Sequence, residues 1–208
     1  MIKIAILGDI GAGKTFVSKL FGFPVFNADK EVKKIYKSNK KCFNKLKKKF
    51  PNKQITYPIN KKVLIDIIIE KKQNLKIINE IVHPIVRGKM KSFLKTNKNK
   101  KAIVLDIPLY LENKLNKKRD YLVFVNAKTG DINKKISRRK TSNKLIKILK
   151  KFQMSNKIKK KKADFIINNN FRELNVKRNV RIIKSKILKN ERNYTWYRDN
   201  RVVSKRGT

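Results

Sequence analysis

The chain has 208 residues and carries 57 lysines and arginines against 14 aspartates and glutamates, which gives a formal net charge of +43. This length, with 40% hydrophobic residues, suits one domain with a real core, or one domain with insertions. A single cysteine excludes a disulfide scaffold, charge-interrupted apolar stretches exclude a membrane-spanning protein, and the lack of an apolar leader favours a cytoplasmic location.

The sequence patterns predict strands that alternate with helices. In chain order they are a strand over 2–7, a helix over 15–21, a strand over 24–26, a helix over 30–50, a helix after Asn60, a helix over 74–96, strands over 102–107 and 121–125, a helix over 130–163, a strand over 164–167 and a helix over 171–189. Continuous apolar runs are typical of central strands in a parallel sheet. The alternation therefore predicts a doubly wound α/β sheet of about five strands.

Three features concern the predicted helices in more detail. Asn60 has the side chain of a helix N-cap. Pro84 predicts a kink or a break, because proline removes a backbone donor from the helix interior. The lysine run over 157–162 is interpreted as a solvated helix face.

The segment from Gly8 to Thr15, GDIGAGKT, matches the pattern G-x-x-x-x-G-K-[ST] in full. It lies between a predicted strand and a predicted helix, where backbone N–H groups of a glycine-rich loop can surround a phosphate. Lys14 can then reach the β- and γ-phosphates, and the Thr15 hydroxyl can ligate Mg²⁺. The motif predicts ATP binding rather than a structural turn, with nucleotide contacts from Gly8, Gly11, Ala12, Gly13, Lys14, Thr15 and Phe16.

The remaining motifs favour a small-molecule kinase over a GTPase. Residues 116–120 approach the guanine motif N-K-x-D but contain one residue too many. A kinase requires an acceptor site, a base near the acceptor hydroxyl and a lid that excludes water.

From about residue 2 to about residue 188, the sequence resembles the dephospho-coenzyme A kinase family. Five blocks match the motifs of that family in order: residues 8–15, 27–29 (NAD), 82–90 (VHPIVRGKM), 105–112 (LDIPLYLE) and 163–169 (ADFIINN). Three positions depart from the family pattern. Asp9 replaces a glycine of the phosphate loop, Asn27 replaces the first aspartate of D-A-D, and Lys159 stands where the family often has an arginine in the lid.

The resemblance implies transfer of the γ-phosphoryl group of ATP to the ribose 3′-hydroxyl of dephospho-coenzyme A, the last step of coenzyme A synthesis. It implies a P-loop NTPase-like sheet with an inserted helical substrate domain and a helical lid. The expected segments are a core over 1–29, 102–130 and 164–189, a substrate-binding insertion over 30–101, a lid over 131–163 and a basic aromatic tail over 190–208. A monomer is expected.

Catalytic roles follow from the resemblance. Asp29 is the candidate general base, and a helix N-cap is the alternative interpretation. Arg138, with Arg139, is expected to clamp the transferring phosphoryl group. Asp106 ends an apolar strand and is a candidate Mg²⁺ ligand that acts through water; the alternative is a strand-end aspartate bonded to nearby backbone.

Substrate roles rest on the same resemblance. Arg87, His83 and Glu112 occupy family positions near the substrate. The alternatives are a solvated helix residue for Arg87 and local packing for His83. Asn169 is expected near the adenine.

Two other functions stay open from the sequence. One is a P-loop kinase of another nucleoside or nucleotide, and the other is a basic nucleic-acid-binding protein with a residual P-loop. Lys, Ile and Asn number 46, 27 and 23, whereas Arg numbers 11. A surface selected for phosphate contacts would enrich Arg and concentrate its charge. We therefore expect compositional drift and no dedicated nucleic-acid partner.

Overall fold

The computed structural model describes residues 1–138 and 142–189, so Arg139 and the predicted tail over 190–208 lie outside the described residues. The elements are β1 (Ile2–Gly8), α1 (Lys14–Leu20), β2 (Val25–Asn27), α2 (Ala28–Ser38), α3 (Lys40–Lys49), α4 (Lys61–Glu70), α5 (Asn74–Thr96), β3 (Ala102–Asp106), β4 (Tyr121–Asn126), α6 (Thr129–Ser137), α7 (Asn143–Lys151), α8 (Asn156–Lys162), β5 (Phe165–Asn168) and α9 (Glu173–Leu188).

The five strands form one parallel sheet in the order β2-β3-β1-β4-β5. Strand β1 lies at its centre, with Ala5 opposite Leu105 of β3 and Ile6 opposite Val123 of β4. The predicted doubly wound α/β sheet is thus confirmed. Because the strands are parallel, the carboxyl ends of β1, β3, β4 and β5 meet at one edge, which is where ligands bind in such sheets.

The chain divides into two compact units, and the sheet belongs to the first. The middle of β1 is buried because its residues are apolar: Ile4, Ala5 and Ile6 have no exposed surface. Helices α1 and α9 pack on each other and on the sheet, whereas α8 packs on β1 and β4. This packing anchors the sheet from which the candidate site is built.

The second unit is helical and contains residues 27–98 together with α7. Helix α5 contacts α2, α3 and α4, and α7 contacts α4. The centre of its core is formed by Ile35, Cys42, Leu46, Leu64, Ile67, Ile78, Val82, Leu145 and Ile148. The domain boundaries expected from the resemblance, including those of the lid, stay predictions.

Two predicted helices are wrong in extent. Residues 30–50 form two helices that meet at Asn39, whose backbone is extended and whose side chain accepts a hydrogen bond from the Cys42 N–H. Asparagine favours such a cap over a helix interior because its amide competes for backbone donors. Residues 130–163 likewise form three helices, α6, α7 and α8, rather than one. Ser155 caps α8 through the N–H of Ile158.

Of the kink or break predicted at Pro84, the break is wrong, because α5 runs from Asn74 to Thr96 with Pro84 inside it, whereas the kink stays a prediction. Proline removes one hydrogen bond from the helix, and the surrounding turns keep the helical path. The predicted cap at Asn60 is confirmed, since its side chain accepts from the Lys62 N–H at 2.9 Å. Within residues 1–138 and 142–189, no helix has both the length and the apolar character needed to cross a bilayer.

Candidate active site

The phosphate loop connects β1 to α1 and depends on glycine at defined positions. Gly8, Gly11 and Gly13 have φ angles of 146°, 84° and 90°, which other residues rarely adopt. At Gly8, a Cβ atom would lie 2.8 Å from the Val125 carbonyl oxygen, and at Gly13 it would overlap the amide nitrogen of Asn169. The glycine spacing of the motif is therefore required both by backbone conformation and by close packing.

Lys14 is the first residue of α1, and its side chain folds back over the start of the loop. Its ammonium donates hydrogen bonds to the carbonyl oxygens of Gly8 at 3.1 Å and Asp9 at 2.8 Å. A lysine ammonium that donates to carbonyl oxygens of a glycine-rich loop can exchange these partners for phosphate oxygens.

Thr15 and Asp106, 91 residues apart in the sequence, are brought together by the pairing of β1 with β3. The Thr15 hydroxyl donates to Oδ2 of Asp106 at 2.7 Å, and Asp106 is only 3% exposed at the end of β3. A hydroxyl and a carboxylate are the oxygen ligands that Mg²⁺ prefers. The pair thus fits a magnesium ion that also binds phosphate oxygens.

Asp9 and Asn27, two of the three departures from the family pattern, have local structural roles. Asp9 turns its Oδ1 onto the backbone N–H of Ile10 at 2.7 Å. Asn27 is the N-cap of α2, because its Oδ1 accepts from the Lys30 N–H at 2.8 Å.

Asp29 lies in the first turn of α2, two residues after the end of β2, and it is exposed. The N-cap interpretation of Asp29 is wrong, since Asn27 occupies that position. Its assignment as general base stays a prediction.

Helix α6 packs directly on the phosphate loop. A Cβ atom at Gly11 would lie 3.0 Å from Ile136 and 3.1 Å from Ile132, both buried on α6. Arg138 caps the C-terminal end of this helix and is exposed. Arg138 thus lies two residues after Ile136, whose side chain packs against Gly11 of the phosphate loop. Phe16, also a predicted nucleotide contact, follows Thr15 and is 37% exposed.

His83 and Arg87 lie one turn apart on α5 of the helical unit. His83 is half-buried, and its pKa is lowered below the usual value of 6.5. Burial is the larger cause, and the positive charge of Arg87 is the smaller one. The imidazole is therefore neutral at neutral pH. Arg87 itself is exposed, as a residue that binds a phosphate group requires.

Glu112 has partners that the sequence did not indicate. Its Oε1 forms an ion pair with Lys159 at 3.1 Å and accepts the backbone N–H of Met154 at 2.9 Å. Lys159 is only 1% exposed, so its interpretation as part of a solvated helix face is wrong. The resemblance distinguishes Lys159 from the lysines around it, because the family often has an arginine at this lid position, but it does not indicate Glu112 as its partner.

Asn169 directly follows β5 and is buried. Its amide donates to the carbonyl oxygen of Ala12 in the phosphate loop at 2.8 Å. The structure therefore joins Asn169 to the loop backbone.

The described residues hold no cluster of three or more His, Cys, Asp or Glu side chains suited to a metal ion. Burial raises the pKa of the lone cysteine, Cys42, to about 11, so this thiol stays protonated at neutral pH.

Comparisons with known proteins match the chain to one family by sequence. Residues 2–174 match the sequence profile of the dephospho-CoA kinase family. The dephospho-CoA kinase of Bartonella henselae is 34% identical over 193 residues, covering 90% of this chain and 98% of that protein. The dephospho-CoA kinase of Fusobacterium nucleatum is 36% identical over 173 residues, covering 80% and 89% respectively.

Solved structures share the fold. TT1252 from Thermus thermophilus superposes with a TM-score of 0.73 at 23% identity, covering 89% of this chain and 97% of that chain. Dephospho-CoA kinase from Campylobacter jejuni gives a TM-score of 0.62 at 24% identity, covering 90% and 98%. Shikimate kinase from Acinetobacter baumannii, solved with shikimate, gives 0.53 at 16% identity, covering 92% and 95%.

Proposed function

The chain belongs to the dephospho-CoA kinase family, and from that premise we propose that it transfers the γ-phosphoryl group of ATP to the ribose 3′-hydroxyl of dephospho-coenzyme A. The products are coenzyme A and ADP, which makes this the last step of coenzyme A synthesis. The observation that carries the proposal is the hydrogen bond between Thr15 and Asp106 beside a complete phosphate loop. The comparisons favour this function over another nucleoside kinase and over a nucleic-acid-binding protein.

The phosphate loop binds the triphosphate through its backbone N–H groups and Lys14. In the reaction, the bond from the γ-phosphorus to the bridging oxygen of ADP breaks, and a bond to the ribose 3′-oxygen forms. Negative charge develops on the bridging oxygen, where the Lys14 ammonium stabilises it. The nucleotide contacts assigned to Gly8, Gly11, Ala12, Gly13 and Phe16 stay predictions of the motif.

Thr15 and Asp106 would hold Mg²⁺ through their hydroxyl and carboxylate oxygens. When bound, the ion supplies charge neutralisation on the β- and γ-phosphates. The hydrogen bond that joins the two side chains keeps both oxygens together.

Asp29 would accept the proton that leaves the ribose hydroxyl. An exposed carboxylate in the first turn of a helix is accessible to a substrate. Arg138 would donate hydrogen bonds to the transferring phosphoryl oxygens, which is supported by the packing of α6 on the loop.

The acceptor would be recognised partly by Arg87 and His83 of α5. An exposed guanidinium suits the diphosphate of dephospho-coenzyme A, and a neutral imidazole can donate one hydrogen bond and accept another. Contact of Glu112 with the substrate, a monomeric state and a cytoplasmic location stay predictions.

The decisive experiment measures ADP release from ATP and Mg²⁺ with and without dephospho-coenzyme A. We expect release that depends on the acceptor, with a product of the mass of coenzyme A. Lys14→Ala should abolish it, whereas Lys19→Ala, an exposed lysine of the same helix, should leave it unchanged. Folded protein that binds ATP but releases no ADP with this acceptor would contradict the proposal.

A further inference from the structure

Asn169 is a buried amide in contact with the phosphate loop. It is 3% exposed and lies one residue beyond β5, at the sheet edge where the loop also begins. Its partner in the loop, Ala12, is 157 residues away in the sequence and is 1% exposed. A buried amide is costly unless its polar atoms are paired, so its contacts are expected to be specific.

Three hydrogen bonds fix the position of Asn169. Its Nδ2 donates to the Ala12 carbonyl oxygen at 2.8 Å, and its Oδ1 accepts the Phe171 N–H at 2.8 Å. Its own backbone N–H donates to the Asn126 carbonyl oxygen at 2.7 Å, at the end of β4. The amide is therefore oriented by the sheet and by the turn that follows β5, and only its Nδ2 reaches the loop.

The bond to Ala12 fixes the direction of the next N–H group. The carbonyl of Ala12 and the N–H of Gly13 belong to one planar trans peptide, so they point in opposite directions. Holding the carbonyl oxygen on the side of Asn169 aims the Gly13 N–H to the other side. Backbone N–H groups are the donors with which a phosphate loop binds its ligand.

The same side chain explains the glycine at position 13. A Cβ atom there would overlap the Asn169 amide nitrogen. Asn169 thus contacts both residues of the Ala12–Gly13 peptide and restricts its rotation.

We propose that Asn169 is a positioning residue of the phosphate loop, which holds the Ala12–Gly13 peptide so that the Gly13 N–H is presented to a phosphate oxygen. The adenine contact expected for Asn169 stays a separate prediction, which the same experiment tests. It rests on the proposed function only in that the loop binds the phosphates of ATP.

The test uses inorganic tripolyphosphate, ADP and adenosine as probes in calorimetric titrations of the full chain. Asn169→Asp keeps the acceptor for the Phe171 N–H and removes the donor to Ala12. We expect tripolyphosphate and ADP to bind about tenfold more weakly, as the loss of one oriented hydrogen bond predicts, and adenosine to bind unchanged. Asn170→Asp, an exposed neighbour, adds the same charge and should weaken tripolyphosphate binding much less.

Asn169→Ala serves as the neutral variant, and as the replacement if the aspartate variant does not fold. Unchanged affinity for tripolyphosphate in these variants would overturn the proposal. An equal loss of affinity for tripolyphosphate and adenosine would also overturn it, because a contact with adenine predicts weaker binding of adenosine. No acceptor is present in these titrations. A failed kinase assay with wild-type protein would therefore contradict the proposed function and leave this result standing.

Discussion

At the residue scale, asparagine side chains organise much of the backbone. Asn27, Asn39 and Asn60 cap three successive helices of the second unit, each by accepting a backbone N–H. Asn169 instead donates to a loop carbonyl. A composition rich in asparagine is therefore compatible with a specific structure, because a short amide can satisfy backbone groups at positions where a helix or a loop leaves them unpaired.

Asp29 offers a residue-scale test with a control on the same helix turn. Asp29 and Glu31 are both acidic residues in the first turn of α2. Asp29→Asn should lower kcat by about 10²–10⁴-fold if its carboxylate accepts the ribose proton. Glu31→Gln removes a carboxylate from the same turn and should leave kcat unchanged. Equal turnover of the two variants in steady-state assays would exclude Asp29 as the base.

His83, the only histidine in the chain, predicts a pH dependence of stability. Its pKa is lowered in the folded state, chiefly by burial and then by Arg87, so the unfolded chain binds the proton first as the pH falls. The free energy of unfolding should therefore decrease below pH 6.5, the usual pKa, and level off below the folded pKa.

Urea unfolding of wild-type protein and His83→Gln on either side of this pH would measure the effect. The variant should lose less stability than wild type on acidification. Parallel losses would mean that His83 is not responsible.

At the element scale, helix ends depend on polar side chains more than on apolar periodicity. A basic, apolar-periodic segment such as 30–50 predicts one helix, yet Asn39 divides it. Pro84, in contrast, lies inside a continuous helix. An N-cap side chain accepts hydrogen bonds from unpaired backbone N–H groups of the following helix, whereas an internal proline removes only one backbone hydrogen bond. The cap at Asn39 therefore sets a helix boundary, and Pro84 does not.

The ion pair between Lys159 of α8 and Glu112 predicts how a substitution changes the stability of the protein. Lys159 of α8 is buried against Glu112, which also binds the Met154 N–H before the helix begins. Lys159→Met should lower the free energy of unfolding by about 3 kcal/mol, because it leaves a largely buried carboxylate without its cation. The exposed neighbour Lys161 supplies the control, and Lys161→Met should change stability by less than about 0.5 kcal/mol.

Guanidinium unfolding of the two variants measures the difference. Adding Glu112→Gln to Lys159→Met should restore part of the loss, since the double variant no longer buries an unpaired charge. If Lys159→Met and Lys161→Met were equally stable, the ion pair would not anchor α8.

At the scale of the whole molecule, the net charge of +43 dominates the electrostatics. Compaction brings like charges closer together, and added salt screens their repulsion. The same charge attracts polyphosphate ligands towards the protein without requiring a specific surface.

Thermal unfolding should therefore depend strongly on salt. Raising NaCl from about 50 mM to about 500 mM should raise Tm by about 5 °C. The added salt shortens the Debye length from more than ~10 Å to a few ångström, so the repulsion between like charges is screened. Chloride is the suitable anion, because sulfate and phosphate would also bind the loop. A Tm that falls or stays constant would show that self-repulsion does not limit stability.

Local sequence was sufficient to predict the strands, the phosphate loop and the family, because each is defined by short runs of consecutive residues. Apolar runs predict buried strands, and the spacing of Gly8, Gly13 and Lys14 defines the loop. The parallel sheet of the structure confirms the predicted fold, and the family match over residues 2–174 confirms the predicted family.

Only the tertiary structure decided which distant polar groups meet. Thr15 contacts Asp106, Glu112 contacts Lys159 and Asn169 contacts Ala12. These contacts depend on the strand order β2-β3-β1-β4-β5 and on how helices pack on the sheet, and no local pattern encodes either. Lys159 has the same chemistry as the lysines around it, so its burial follows from the position of α8 on the sheet and not from its sequence neighbours.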